Sequence, residues 1–242
     1  MGILLSVVRP AFQAMRSAPV RLRRHHDAMT FDLRVIDALL LDMDGTLVDS
    51  DAAVERAWRA WSAIAGVDAD EVLAIAHGSP AITTVRRLLP GRSDEEVRAS
   101  AAVQLGLQYD DLSDTHATPG AHRLLGTLDA LRIPWAVVTS ADRRLAAARL
   151  TAGGIVPSEL ITEEDVPAGK PDPAGYLLGA ARLGIDPARC LVVEDAEPGL
   201  IAGRAAGART AALKGLTGDV SLTDLGQLAD LLLARHLPAP SP

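Results

Sequence analysis

Two different hydrophobic periods run along this chain. Val35-Ile36-Asp37-Ala38-Leu39-Leu40-Leu41 is a short, nearly continuous apolar run, the pattern of a strand buried on both faces. It ends on Asp42-Met43-Asp44-Gly45-Thr46. Residues 51–65 follow helical spacing, with Val54, Trp58, Trp61 and Ala65 on one face. Further helices are predicted over 69–76, 80–89 and 93–108, broken by His77-Gly78 and Pro90-Gly91. The stretch from 49 to 118 therefore predicts helices and no strand. After Pro119-Gly120 the pattern changes. Strands over 135–139, 159–162, 190–195 and 209–213 alternate with helices over 121–131, 142–152, 173–183 and 198–206, and a last amphipathic helix is predicted over 222–235.

Strands alternating with helices predict an α/β fold, a parallel sheet covered on both faces by right-handed crossovers. In such sheets ligands bind beyond the carboxyl ends of the strands. Asp42, Asp44, Thr139, Glu194 and Asp195 all fall at those ends. The predicted division is a core over 30–48 and 119–237, an inserted helical domain over 49–118 and a tail over 1–29. The tail carries Arg9, Arg16, Arg21, Arg23, Arg24, His25 and His26 before its first acid, Asp27. A basic stretch follows its short apolar piece, which fits a signal peptide poorly. It is expected to be disordered, or to precede an internal start at Met29, with a transit-like or surface-binding tail as the alternative.

Composition narrows the function classes. Apolar residues make up 48% of the chain, enough for a sizeable core. No apolar run approaches the roughly 18 residues of a membrane span. The net charge of −7 argues against a nucleic-acid partner, which requires a basic face. The single cysteine, Cys190, excludes an internal disulfide and a multi-cysteine zinc site, and suits a reducing, cytoplasmic setting. Only two residues are lysines, Lys170 and Lys214, so any amine chemistry has two candidates.

The candidate chemistry lies at the strand ends. Asp42 and Asp44, two apart, point to one side and repel each other. With Asp195 they form a set of hard oxygen donors that suits Mg2+. Lys170 adds positive charge, and Gly45 lets the backbone turn so that amides can face a phosphate. A cation site, a lysine and a hydroxyl around acids are the parts of phosphoryl transfer. Taken singly, each has a plainer role. Asp at a strand end is often a turn residue, and Asp-x-Asp-Gly also opens calcium loops. Here Leu47-Val48 follow the motif and a buried strand precedes it, unlike an EF-hand.

Asp42-Met43-Asp44-Gly45-Thr46, Thr139, Gly169-Lys170-Pro171-Asp172-Pro173 and Val193-Glu194-Asp195-Ala196-Glu197-Pro198-Gly199 resemble, in order, the four motifs of the haloacid dehalogenase superfamily. The similarity spans about residues 35–214. It implies a Rossmann-like core with an all-helical cap. It further implies Asp42 as nucleophile, Asp44 as general acid and base, and Lys170 as the stabiliser of charge. Thr139 and Ser140 would hold phosphate, with Gly45 and Thr46 supporting it. Mg2+ would sit on Asp42, the Asp44 carbonyl and Asp195, with Glu194 nearby.

Within the superfamily, Asp44 argues against the metal-free dehalogenases. The absence of lysine from 49–118 removes the Schiff-base chemistry of the phosphonate-cleaving branch. The histidine and arginine of the beta-phosphoglucomutase branch align near Val54 and Ala81, which cannot replace them. His77-Gly78-Ser79-Pro80-Ala81-Ile82-Thr83-Thr84-Val85-Arg86 is similar to the cap of sugar and polyol phosphatases. His77 and Gly78 are candidate substrate contacts, against a helix-capping or packing role for His77. Trp58 and Trp61 are expected in the cap core, with a sugar platform as the alternative, and Arg86 and Arg87 on the surface, with phosphate screening at the cap–core cleft as the alternative. The expected partner is a small phosphorylated metabolite, and the expected state a monomer or weak dimer. The expected activity is a Mg2+-dependent phosphatase; the alternatives are a sugar-phosphate mutase and a non-enzymatic binding protein.

Overall fold

The structure is a computed structural model, and it describes residues 32–76, 79–109 and 112–235. The 1–29 tail, His77 and Gly78 lie outside the described residues. Strand β1 is Ala38–Leu41, and all four of its residues are buried. Five more strands complete a parallel sheet: β4 (Trp135–Val138), β5 (Leu160–Ile161), β6 (Cys190–Glu194), β7 (Arg209–Ala212) and β8 (Val220–Ser221). Between β1 and β4 in sequence lie β2 (Val48–Asp49) and β3 (His116–Ala117), which pair with each other in a separate two-stranded sheet. The sheet order is β5-β4-β1-β6-β7-β8, which places β1 at its centre.

The period of two along each strand divides the core. Leu39, Leu41, Val137, Leu191 and Val193 share one apolar cluster with Leu124, Leu145 and Leu228. These three belong to α5 (Ala121–Leu131), α6 (Arg143–Ala152) and α9 (Leu225–Ala234). Ala38, Leu40, Ala136, Val138 and Val192 face the other way, onto Tyr176, Ala180 and Ala202. Those come from α7 (Ala174–Leu183) and α8 (Glu197–Ala205). A strand with helices on both faces must be apolar at every position, and β1 is.

The insert holds α1 (Asp51–Ala65), α2 (Ala69–Ala76), α3 (Ala81–Leu88) and α4 (Asp94–Tyr109). They pack around a third cluster that includes Trp58, Trp61, Val72, Val85 and Val97. Trp58 and Trp61 meet edge to face at 5.4 Å, as core residues do. Arg86 pairs with Asp94 on the exposed surface, where such a pair adds little stability.

Three local predictions need correction. The first strand starts at Ala38, because Leu33–Val35 form a 3-10 turn capped by the Asp32 side chain, with Arg235 holding the Leu33 and Ile36 carbonyls. The 49–118 stretch does contain a strand, since His116 pairs with Asp49 and Ala117 with Val48. Two-residue strands are too short to show any period. The 222–235 helix begins at Leu225, where Asp224 caps it by accepting from the Gln227 amide, and β8 precedes it. Among the described residues no helix is long and apolar enough to cross a membrane.

Candidate active site

Parallel strands end together, so the residues that follow β1, β4, β6 and β7 gather on one rim. Asp42 follows β1 and is 6% exposed. Lys170 donates to Asp42 Oδ1, to Glu194 Oε1 at 2.6 Å and to the Val138 carbonyl at 3.1 Å. Tyr176 donates to the same Glu194 oxygen at 2.5 Å. Glu194 therefore anchors Lys170 from beneath, and its other oxygen faces the Ala196 amide at 3.4 Å. Asp195, from the next position, accepts from Lys214 at 3.0 Å and from Thr46 at 3.4 Å. Lys214 also grips Asp51, at the first turn of α1, at 2.6 Å.

Asp42, Glu194 and Asp195 each offer a carboxylate oxygen within 4.8 Å of the others. Burial, then Glu194, pushes the Asp42 carboxyl well above its usual range, and Lys170 only partly opposes this. Burial, then Glu194, raises Asp195 to about 6 against the pull of Lys214. Burial pulls the Lys170 amine down, but Asp42 and Glu194 outweigh it and the net direction is upward. An all-oxygen cluster in which Glu194 raises both Asp42 and Asp195 fits a hard divalent cation such as Mg2+.

Asp44 is held from two sides. Ser50 donates to its Oδ1 at 2.7 Å, and Arg149 meets its Oδ2 at 2.7 Å. Thr139 accepts the Ala141 amide at 3.1 Å, which shapes the turn after β4. The neighbouring Ser140 hydroxyl is buried without a hydrogen-bond partner among the described residues. A buried polar group in that state is suited to receive a ligand oxygen. Asp42, Asp44, Thr139, Ser140, Arg149 and Asp195 line one cavity of about 70 Å³, closed on the insert side by residues such as Val54, Trp58, Ala81, Leu105 and Gln108.

Gly45 and Thr46 sit differently. Their amides donate to the Val48 and Met43 carbonyls, so in this structure they are engaged inside the turn rather than offered to a ligand. Gly45 is required for another reason. Its φ is +80°, and a Cβ there would come within 2.0 Å of Asp195 Oδ2. Gly45→Ala is expected to destabilise the protein by at least about 1 kcal/mol, read as a lowered denaturant midpoint.

Glu163 lines a small cavity with Thr139 and Ser140. Burial, then Asp142 and Glu164, raises its carboxyl to about 7. A raised folded-state value contributes stability in full below the unfolded value and loses it as pH climbs through the folded one. Glu163→Gln is therefore expected to raise the thermal midpoint clearly at about pH 8.5 and only weakly at about pH 5.

The motifs did not point to Arg149, Tyr176 or Lys214 in these contacts. A signal existed for Arg149: it shares the buried face of α6 with Leu145, Ala146 and Leu150, where a charge is anomalous. Tyr176 lies likewise on the buried face of α7. Lys214 follows β7 and had only its rarity to recommend it.

Comparison with known proteins shows the family and the fold. A family model described as haloacid dehalogenase-like hydrolase matches residues 36–207. Hexitol phosphatase A of Escherichia coli is 43% identical over 175 residues, covering 72% of this chain and 81% of that protein. Glycerol-1-phosphate phosphohydrolase 2 of Saccharomyces cerevisiae is 34% identical over 184 residues, covering 72% and 73%. The crystal structure of beta-phosphoglucomutase from Clostridium difficile matches in fold with a TM-score of 0.71 at 19% identity, covering 82% of this chain and 98% of that one.

Proposed function

Because the chain belongs to the haloacid dehalogenase-like hydrolase family and is a phosphatase of it, we propose that it hydrolyses a small sugar or polyol phosphate with Mg2+, through an aspartyl phosphate on Asp42. The observation that carries this reading is the buried Asp42 carboxylate, facing the cavity with Lys170 on one oxygen and the Glu194 and Asp195 carboxylates beside it.

Asp42 attacks phosphorus, and the bond from phosphorus to the substrate oxygen breaks. Asp44 gives a proton to that leaving oxygen. It then takes a proton from the water that releases phosphate from Asp42. Lys170 offsets charge at Asp42, and Thr139 and Ser140 hold the phosphoryl oxygens. Asp42, Asp195 and the Asp44 main-chain carbonyl would hold Mg2+, with Glu194 behind them. When bound, the ion supplies neutralising charge to the phosphoryl oxygens. The insert residues over the cavity exclude bulk water, which strengthens these interactions. A cytoplasmic location fits the substrate class.

Relatives named for hexitol and glycerol phosphates support the polyol choice. Against the mutase alternative, Val54 and Ala81, near which the resemblance aligns that branch's histidine and arginine, line the cavity with apolar side chains. The test is phosphate release from a panel of sugar, polyol and nucleoside monophosphates, with Mg2+ or with EDTA. Mg2+-dependent release from polyol or sugar phosphates is expected. Turnover unaffected by EDTA, or conversion of a beta-sugar 1-phosphate into its 6-phosphate isomer, would overturn the reading.

A further inference from the structure

Arg149 has no part in the steps above, yet the fold accommodates it at some cost. Its side chain is 2% exposed, on an otherwise apolar face of α6. Burying a guanidinium without full pairing is unfavourable, and an apolar side chain of similar volume would pack there without that burden. Its partners are specific. One amine meets Asp44 Oδ2 at 2.7 Å, and the other donates to Gln108 Oε1 at 2.8 Å. Gln108 donates in turn to Gln104 Oε1 at 2.7 Å, and both glutamines are buried positions of α4 in the insert. A continuous polar chain thus runs from a helix of the insert, through a helix of the core, to the carboxylate two residues after Asp42.

We propose that Arg149 is a positioning residue that aims the Asp44 carboxylate, and that Gln108 makes this aim depend on the insert being seated over the cavity. The proposal rests on Asp44 acting as acid and base. The step it bears on most is release of phosphate from Asp42. There the water oxygen bonds to phosphorus, the bond from phosphorus to the Asp42 oxygen breaks, Asp42 leaves as a carboxylate and the water proton passes to Asp44. A carboxylate free to rotate loses this proton transfer. Ser50, next to the first residue of α1, fixes the other Asp44 oxygen, so both restraints lie where the insert meets the core.

The experiment uses p-nitrophenyl phosphate, whose leaving group departs without a proton, alongside a polyol phosphate. In Arg149→Met, steady-state turnover of both is expected to fall about 100-fold. With the aryl ester, a burst of p-nitrophenolate approaching one equivalent should exceed that of the unmodified protein, because the phosphoenzyme forms but is not released. Arg149→Lys should recover part of the rate, since the charge returns without the forked geometry. Gln108→Leu should show the same enlarged burst with a fall of about tenfold, and it carries the test should Arg149→Met fail to fold. Turnover within threefold of the unmodified protein in both Arg149→Met and Gln108→Leu overturns the proposal. So does an equal fall on both substrates with no added burst. If the unmodified protein releases phosphate from neither compound, the proposed function fails instead, so the two failures are separable.

Discussion

Asparagine in place of Asp42 is expected to abolish phosphate release, by about ten-thousand-fold or more, while leaving the protein folded and at least as stable. The two side chains match in shape, but the amide has no carboxylate oxygen to form the bond to phosphorus. The stability half follows from the position. Burial, then Glu194, raises the Asp42 carboxyl well above its usual range, so the folded state resists its charge. A raised group contributes full stability only below its unfolded value and loses it as pH rises. Asp42→Asn should therefore hold or raise the thermal midpoint of the metal-free protein near neutral pH, with the margin growing toward alkaline pH. Retained turnover, or failure to trap a labelled phosphoryl group on Asp42 in the unmodified protein, would remove Asp42 as nucleophile.

Removing Lys170 is expected to do the opposite to stability. Its amine is the cation between Asp42 and Glu194, and all three side chains are buried. Lys170→Met leaves two carboxylates facing each other without compensation. Breaking a buried pair in this way costs about 3–5 kcal/mol. Lys170 is the group that lowers Asp42, so its loss raises that carboxyl further. By the same linkage the deficit should be larger at about pH 8 than at about pH 5, read from denaturant midpoints. Activity should vanish with it. An unchanged midpoint at both pH values would show that Lys170 does not carry the charge balance of the rim.

Much of this architecture could be read from the chain. The run Ala38-Leu39-Leu40-Leu41 was legible as a strand buried on both faces, and all four of its residues are buried. Asp51–Ala65 and Ala69–Ala76 form as helices where the apolar spacing placed them. What escaped was short or distant. The two-residue strands Val48–Asp49 and His116–Ala117 pair across the whole insert, and no local pattern marks such a pairing. The Gly45 turn was legible as a glycine requirement, but its closeness to Asp195, which is what excludes a side chain, depends on another strand.

Residue spacing established the parallel α/β sheet, the helical insertion and the gathering of Asp42, Asp44, Thr139 and Asp195 at one rim, because strand period and strand direction are local properties. The resemblance already implied Lys170 beside Asp42, but which cations answer Asp44 and Asp195 was decided by packing. Lys170 reaches Asp42, Arg149 reaches Asp44 and Lys214 reaches Asp195, each from a different later element. Those partnerships cross separations that carry no sequence period. They exist only because helices laid on a parallel sheet bring distant loops within hydrogen-bond reach.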